Sequence, residues 1–243
     1  MHVSVLAGAM IRSNVRIFAI DFDNTLIDIE TQNRWEGSSI LLAEHLRPFF
    51  IELIPVLLRK GIIVSIVSFS SQTHLIRSVL RQALGVTTSR LILVRGNDGS
   101  WLPVPNSILP GAWSCCSRKG KSDHILSLVS KMYVEASEVV TPSEVVLVDD
   151  DIRNIKHCLF DGVAAFHLEI DQDNSNSVSN HLFKNLREYF SYGLMSTSQR
   201  SPLKLGIEIM DEESLCSDDL EELPSPISRK GARTTENTCC VIS

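Results

Sequence analysis

Five short apolar runs punctuate the first 170 residues, and a polar or charged residue follows each: Val15 to Ile20, Ile62 to Val67, Arg90 to Val94, Glu144 to Val148 and Val163 to Leu168. Runs of that length with amphipathic stretches between them predict buried parallel strands covered by helices. Ser38 and Ser39 can cap a helix over Ile40 to Leu46. Pro48 suits the first turn of a second helix that Gly61 stops, with Pro55 expected to kink or shorten it. Gln72 to Leu84, ended by Gly85, and Ser122 to Met132 read as two more helices. The pattern predicts an α/β domain of the doubly wound, Rossmann type, in which ligands bind at the carboxyl ends of the strands.

Domain organisation follows from where this pattern fades. The expected layout is an N-terminal extension over 1–14, the α/β domain over 15–195, and a disordered acidic tail over 196–243. The tail holds five basic and nine acidic side chains, including the run Asp211 to Glu222, and cannot bury enough apolar surface to offset its ordering entropy. The formal charge of −6 argues against a nucleic-acid partner. The six cysteines match neither a secreted disulfide framework nor a CxxC metal spacing, which favours a reducing compartment. Met1 to Ile11 is mildly apolar but lacks the basic start of a signal peptide, so no cleaved leader is expected. The stretch from Arg95 to Gly120, with Trp101, Trp113 and three prolines, is too irregular for a helix or strand. It is either a surface excursion pinned by the tryptophans or a loop facing substrate.

Four polar clusters fall where such a fold would gather them. Asp21 and Asp23, in Asp21-Phe22-Asp23-Asn24-Thr25, follow the first run and lie on one side by strand alternation. Two carboxylates so placed repel unless a hard cation such as Mg²⁺ joins them. Ser68 follows the second run and can donate to a phosphate oxygen. Lys121, behind Gly120, opens a helix whose N-terminus also favours an anion; Lys119 competes for that place. Asp149, Asp150 and Asp151, with Asn154, follow the fourth run, and three successive acids behind a buried strand call for a nearby cation. Taken singly, an acidic turn, a strand-end serine and a solvated lysine are the ordinary explanations.

In order and spacing these clusters resemble the four motifs of the haloacid dehalogenase-like (HAD) superfamily. Asp21-Phe22-Asp23-Asn24-Thr25 matches DxDx(T/V), Ser68 lies seven residues after Gly61, Lys121 is the lysine, and Asp149-Asp150 with Asn154 is the acidic pair. The resemblance spans about residues 15–170. It implies Asp21 as a nucleophile that forms an aspartyl-phosphate, and Asp23 as general acid and then base. Ser68 and Lys121 would hold the phosphoryl oxygens. Mg²⁺ would be held by Asp21, the Asp23 carbonyl, Asp150 and Asp149, with Asn154 and Thr25 behind them. The segments 26–61 and 95–120 are too short for a full cap domain. A minimal cap implies an open site and an accessible or macromolecular phosphomonoester such as a phosphoprotein, as in magnesium-dependent protein phosphatases of the superfamily. Were Trp101 and Trp113 to fold over the site, a smaller substrate would fit.

The sequence closes on Cys239-Cys240-Val241-Ile242-Ser243, which resembles the CaaX box of Ras-type lipidated tails. That predicts farnesylation of Cys240, with Cys239 available for palmitoylation, and attachment to the cytosolic face of a membrane. The acidic run offers a site for a protein partner. The alternative to a phosphatase is a catalytically silent HAD-like scaffold held at the membrane.

Overall fold

The computed structural model describes residues 3–101, 111–113, 116–169 and 175–192. Seven α-helices and five β-strands follow one another in these segments: α1 (Val3–Arg12), β1 (Ile17–Ile20), α2 (Ser39–Ala43), α3 (Pro48–Arg59), β2 (Ile63–Val67), α4 (Thr73–Ser89), β3 (Leu93–Arg95), α5 (Lys121–Ala136), β4 (Val145–Asp149), α6 (Ile152–Phe160), β5 (Ala164–His167) and α7 (Ser175–Tyr192). All four strand pairings are parallel, in the order β3-β2-β1-β4-β5. This is the predicted doubly wound α/β sheet, and each predicted apolar run overlaps a strand, with β3 and β4 reaching one residue further.

Alternation along the strands sorts the core into two faces. Phe18, Ile20, Val64, Ile66, Val146 and Val148 pack with residues of α1, α3, α4 and α7. Ile17, Ala19, Val67, Val145 and Leu147 pack on the other face with α5 and α6. Because β1 leads to β2 and β3 on one side, and the chain then returns to place β4 on the other, the strand order reverses between β1 and β4. Ligands of such sheets bind at that crevice, beyond the carboxyl ends of the strands.

Several local expectations need correction. Pro55 does not shorten α3, which runs from Pro48 to Arg59. Its missing N–H costs one helical bond, and the burial of Phe49, Phe50, Leu53, Ile54 and Leu57 outweighs that. Gly85 breaks the helical path with φ +80° as predicted, yet a further helical stretch carries the chain on to Ser89. The first helix of the connection ends at Ala43 rather than Leu46, although Ser38 caps it by accepting from the Leu41 N–H. Residues 1–14, expected as an extension, supply α1, whose Leu6, Ala7 and Met10 are fully buried against the rest of the core.

The loop after β3 is tied down by its tryptophans. Trp113 is buried and its Nε1 donates to the Val140 carbonyl at 2.7 Å, while the Arg16 guanidinium bonds the neighbouring Val139 carbonyl. Arg16 precedes β1, so this anchor lies at the end of the sheet opposite the crevice. Trp101 donates to Val94 on the edge strand at 3.2 Å. The tail over 196–243, with Cys239 and Cys240, lies outside the described residues, as do 102–110 of the loop. Among the described residues no helix is long and apolar enough to cross a membrane.

Candidate active site

The crevice between β1 and β4 is where the predicted residues meet. Asp21 extends β1, its N–H donating to the Val148 carbonyl at 2.9 Å, and it shares the strand face of Ile17 and Ala19. Asp149 ends β4 on the same face. That face is covered by α5, whose first residue is Lys121. Strand parity and helix placement therefore bring two carboxylates and an ammonium together. Lys121 Nζ lies 2.5 Å from Asp21 Oδ1 and donates to the Val67 carbonyl at 2.8 Å, with 1% of the residue exposed. Carboxylate oxygens of Asp21, Asp149 and Asp150 all fall within 4.8 Å of one another.

Supporting contacts fix these groups. Asn154 Nδ2 donates to both oxygens of Asp149, at 3.1 and 3.2 Å, and the Asp151 N–H donates to Oδ1 at 2.8 Å. Thr25 Oγ1 donates to Asp150 at 3.0 Å, and His167 Nε2 bonds the Asp150 carbonyl at 2.8 Å. Asp23 is half-buried and turns its Oδ1 to the Thr31 N–H at 2.8 Å, so its side chain stands apart from the three-carboxylate group. Asp151 caps α6 and pairs with Arg153. Ser68 is buried; its Oγ accepts from the Ser70 N–H at 3.1 Å, and its O–H has no acceptor among the described residues. Lys119 is exposed, whereas Lys121 is buried beside Asp21.

Burial dominates the electrostatics. It pushes the Asp21 carboxyl up to about 8, the Lys121 ammonium pulling it down and Asp149 pushing it further up. Burial also raises Asp149, against the pull of Lys121 and Asn154. One lysine thus compensates two desolvated carboxylates incompletely, while Asp150 stands beside them. An all-oxygen set of hard carboxylates short of positive charge fits a hard divalent cation such as Mg²⁺ and would not suit a soft metal.

The roles of four residues in this region are not evident from the sequence. Arg47, 4% exposed, donates from Nε to the Thr25 carbonyl at 3.1 Å and from Nη2 to the Asn24 carbonyl at 3.0 Å, clamping the turn after Asp21. Gly120 adopts φ +55°, and a Cβ there would come 2.6 Å from Asn154 Oδ1, so only glycine brings the start of α5 this close. His124, 4% exposed, bonds the Ser68 carbonyl through Nε2 at 3.2 Å. Phe69 places its ring centroid 4.2 Å from Lys121 Nζ. Of these only His124 carried a usable signal: three residues after Lys121 on a helix, it shares that lysine's face.

No family model and no curated protein matches the chain. Among solved structures the chain is similar to the HAD domain of the effector protein Lem4 from Legionella pneumophila, an inactive mutant. The two share 12% identity over 75% of this chain and 99% of that one, with a TM-score of 0.41.

Proposed function

We propose that this chain is a Mg²⁺-dependent phosphatase of the HAD type that hydrolyses a phosphomonoester through an aspartyl-phosphate. The observation that carries this reading is the meeting of Asp21, Asp149 and Asp150 within 4.8 Å at the switch point of a parallel sheet, with Lys121 Nζ 2.5 Å from Asp21. Asp21, Asp149 and Asp150, with the Asp23 carbonyl, would hold the cation, which supplies positive charge against the carboxylates and the incoming phosphoryl oxygens.

An Asp21 oxygen attacks phosphorus, and the bond to the ester oxygen breaks as Asp23 delivers a proton to the departing alcohol. Asp23, now a carboxylate, takes a proton from water, which attacks phosphorus and returns Asp21 as a free carboxylate with inorganic phosphate. Lys121 and the O–H of Ser68 bind the phosphoryl oxygens as charge shifts onto them. Trp101 is anchored on the edge strand and Trp113 on the Val140 carbonyl, remote from the carboxylates, which supports an open site and an accessible or macromolecular substrate such as a phosphoprotein.

The test is hydrolysis of 4-nitrophenyl phosphate with and without Mg²⁺. Activity should require Mg²⁺ and fall by roughly 10³-fold or more in Asp21→Asn, as expected for loss of a nucleophile; equal activity of variant and wild type overturns the reading. We also propose that Cys240 is prenylated, with Cys239 as a second acyl site, which would hold the enzyme on the cytosolic face of a membrane. Fractionated cells should show wild type with membranes and Cys240→Ser released. Identical partitioning removes the tether and leaves the phosphatase reading intact.

A further inference from the structure

Gln72, just before α4, bonds to both loops that carry the uncharged half of the site. Its side-chain amide closes a pair with one residue of the connection between β1 and α2: Oε1 accepts from the Trp35 N–H and Nε2 donates to the Trp35 carbonyl, each at 3.2 Å. On its main chain, the Gln72 N–H donates to Ser70 Oγ at 3.1 Å, and the Ser70 N–H donates to Ser68 Oγ at 3.1 Å. Two serine hydroxyls in series thus tie Gln72 to Ser68. The other loop leads to Asp23. Thr31 is buried and gives its N–H to Asp23 Oδ1 at 2.8 Å, and the Arg34 N–H returns to the Thr31 carbonyl at 3.0 Å, closing a turn that ends beside Trp35. Inside the turn Gln32 and Asn33 both hold left-handed φ, +52° and +59°, which is uncommon for residues with side chains and persists where surrounding contacts impose it. Both residues are exposed, so the turn is held from its ends, by Thr31 on Asp23 and by Trp35 on Gln72 and the core.

We propose that Gln72 is a positioning residue: its amide fixes the turn that orients Asp23 and keeps that turn in register with the Ser68 loop, so that the proton donor and the phosphoryl site hold one spacing. The inference rests on the phosphatase reading above and adds to it a residue that touches neither substrate nor cation. With Oδ1 engaged by Thr31, Oδ2 is the Asp23 oxygen that meets the departing ester oxygen. Releasing the turn would leave Asp21, Asp149 and Lys121 on their own contacts and spoil the aim of that proton. An amide suits the place because its one acceptor and its N–H match the N–H and carbonyl of a single residue. A carboxylate lacks the donor and would turn negative charge toward the Trp35 carbonyl.

Leaving groups of different basicity read proton delivery directly. 4-Nitrophenolate departs without a proton, whereas the alkoxide from benzyl phosphate needs one, so the kcat/KM for benzyl phosphate divided by that for 4-nitrophenyl phosphate measures the contribution of the general acid. Gln72→Met keeps the length of the side chain and removes both bonds to Trp35. With Mg²⁺ present, it should lower that ratio by about tenfold, a part of what a general acid contributes. Gln72→Glu, which keeps only the acceptor, should lower it as well. In an Asp23→Asn background there is no proton to aim, and Gln72→Met should leave the ratio where it stands. The ratio is read on whatever fraction of a variant folds, so lost protein does not mimic lost aim. A ratio unaltered by Gln72→Met, whether both rates fall together or neither falls, overturns the role of Gln72 and leaves the phosphatase reading standing, as does an equal drop in the Asp23→Asn background. A wild type inactive on both esters overturns both.

Discussion

His124 shows how one side chain links the site to the stability of the fold. Its Nε2 must carry the proton, because its partner there is the Ser68 carbonyl, and its buried Nδ1 has no hydrogen-bond partner among the described residues. Burial pushes its pKa down from 6.5 to about 3, with the Lys121 ammonium and the Arg95 guanidinium acting in the same direction. A histidine depressed in the native state contributes stability above its unfolded value of 6.5, which is lost as pH falls toward 3, because the unfolded chain binds a proton that the native one rejects. Wild type should thus lose about 2 kcal/mol more than His124→Gln between neutral pH and about pH 5. Urea unfolding at both pH values measures it, and parallel losses in the two proteins would refute it. The sequence showed His124 on the same helix face as Lys121 but held no cue that it is buried neutral. Arg47 was less legible still, since an arginine ahead of Pro48 reads as a solvated residue until the Asn24 and Thr25 carbonyls are seen to converge on it.

At the scale of elements, the strands buried on both faces were the most legible. β1, β2 and β4 are covered on both faces, so each reads as a continuous apolar run, and their carboxyl ends could be located to within a residue. Those ends carry Asp21, Ser68 and Asp149, which is why most of the site was visible before the fold. α1 was not recognised, because Val3-Ser4-Val5-Leu6-Ala7-Gly8-Ala9-Met10 is apolar on too many sides to show a stripe, and only packing on α3 and α7 decides its conformation. α7 went unnamed although Leu182, Leu186 and Phe190 recur every four residues and are all buried. The placement of α5 has the most direct consequence for chemistry. Its N-terminus reaches Asn154 and His157 only because Gly120 has no side chain, and that approach delivers Lys121 to Asp21. A glycine before a lysine is common in any sequence. The need for it arises from the packing of α5 on α6, a tertiary fact.

Across the whole molecule, the carboxylate cluster couples folding to cation binding. The folded chain gathers Asp21, Asp149 and Asp150, whereas the unfolded chain leaves all three hydrated and Asp21 apart from the other two. Without a cation, the native state retains a proton on Asp21 up to about pH 8, and Asp149 is shifted in the same direction. The unfolded chain releases that proton near 3.8, so the native state binds more protons between these values and its stability falls as pH rises through the interval. A divalent cation replaces the retained proton, and its affinity therefore grows over the same range. At a free Mg²⁺ concentration of about 100 times its Kd, binding to the native state alone adds roughly 2.7 kcal/mol. For a domain of this size that corresponds to a rise in Tm of about 5–10 °C. Thermal melts should accordingly show a Mg²⁺ shift that is larger near pH 8 than near pH 6. Asp149→Asn should melt higher than wild type at pH 8 when Mg²⁺ is absent, because the amide removes one of two mutually repelling buried charges, and should lose most of the Mg²⁺ shift. A shift of equal size in wild type and Asp149→Asn would place the cation elsewhere. No shift at either pH would show that the clustered carboxylates hold none.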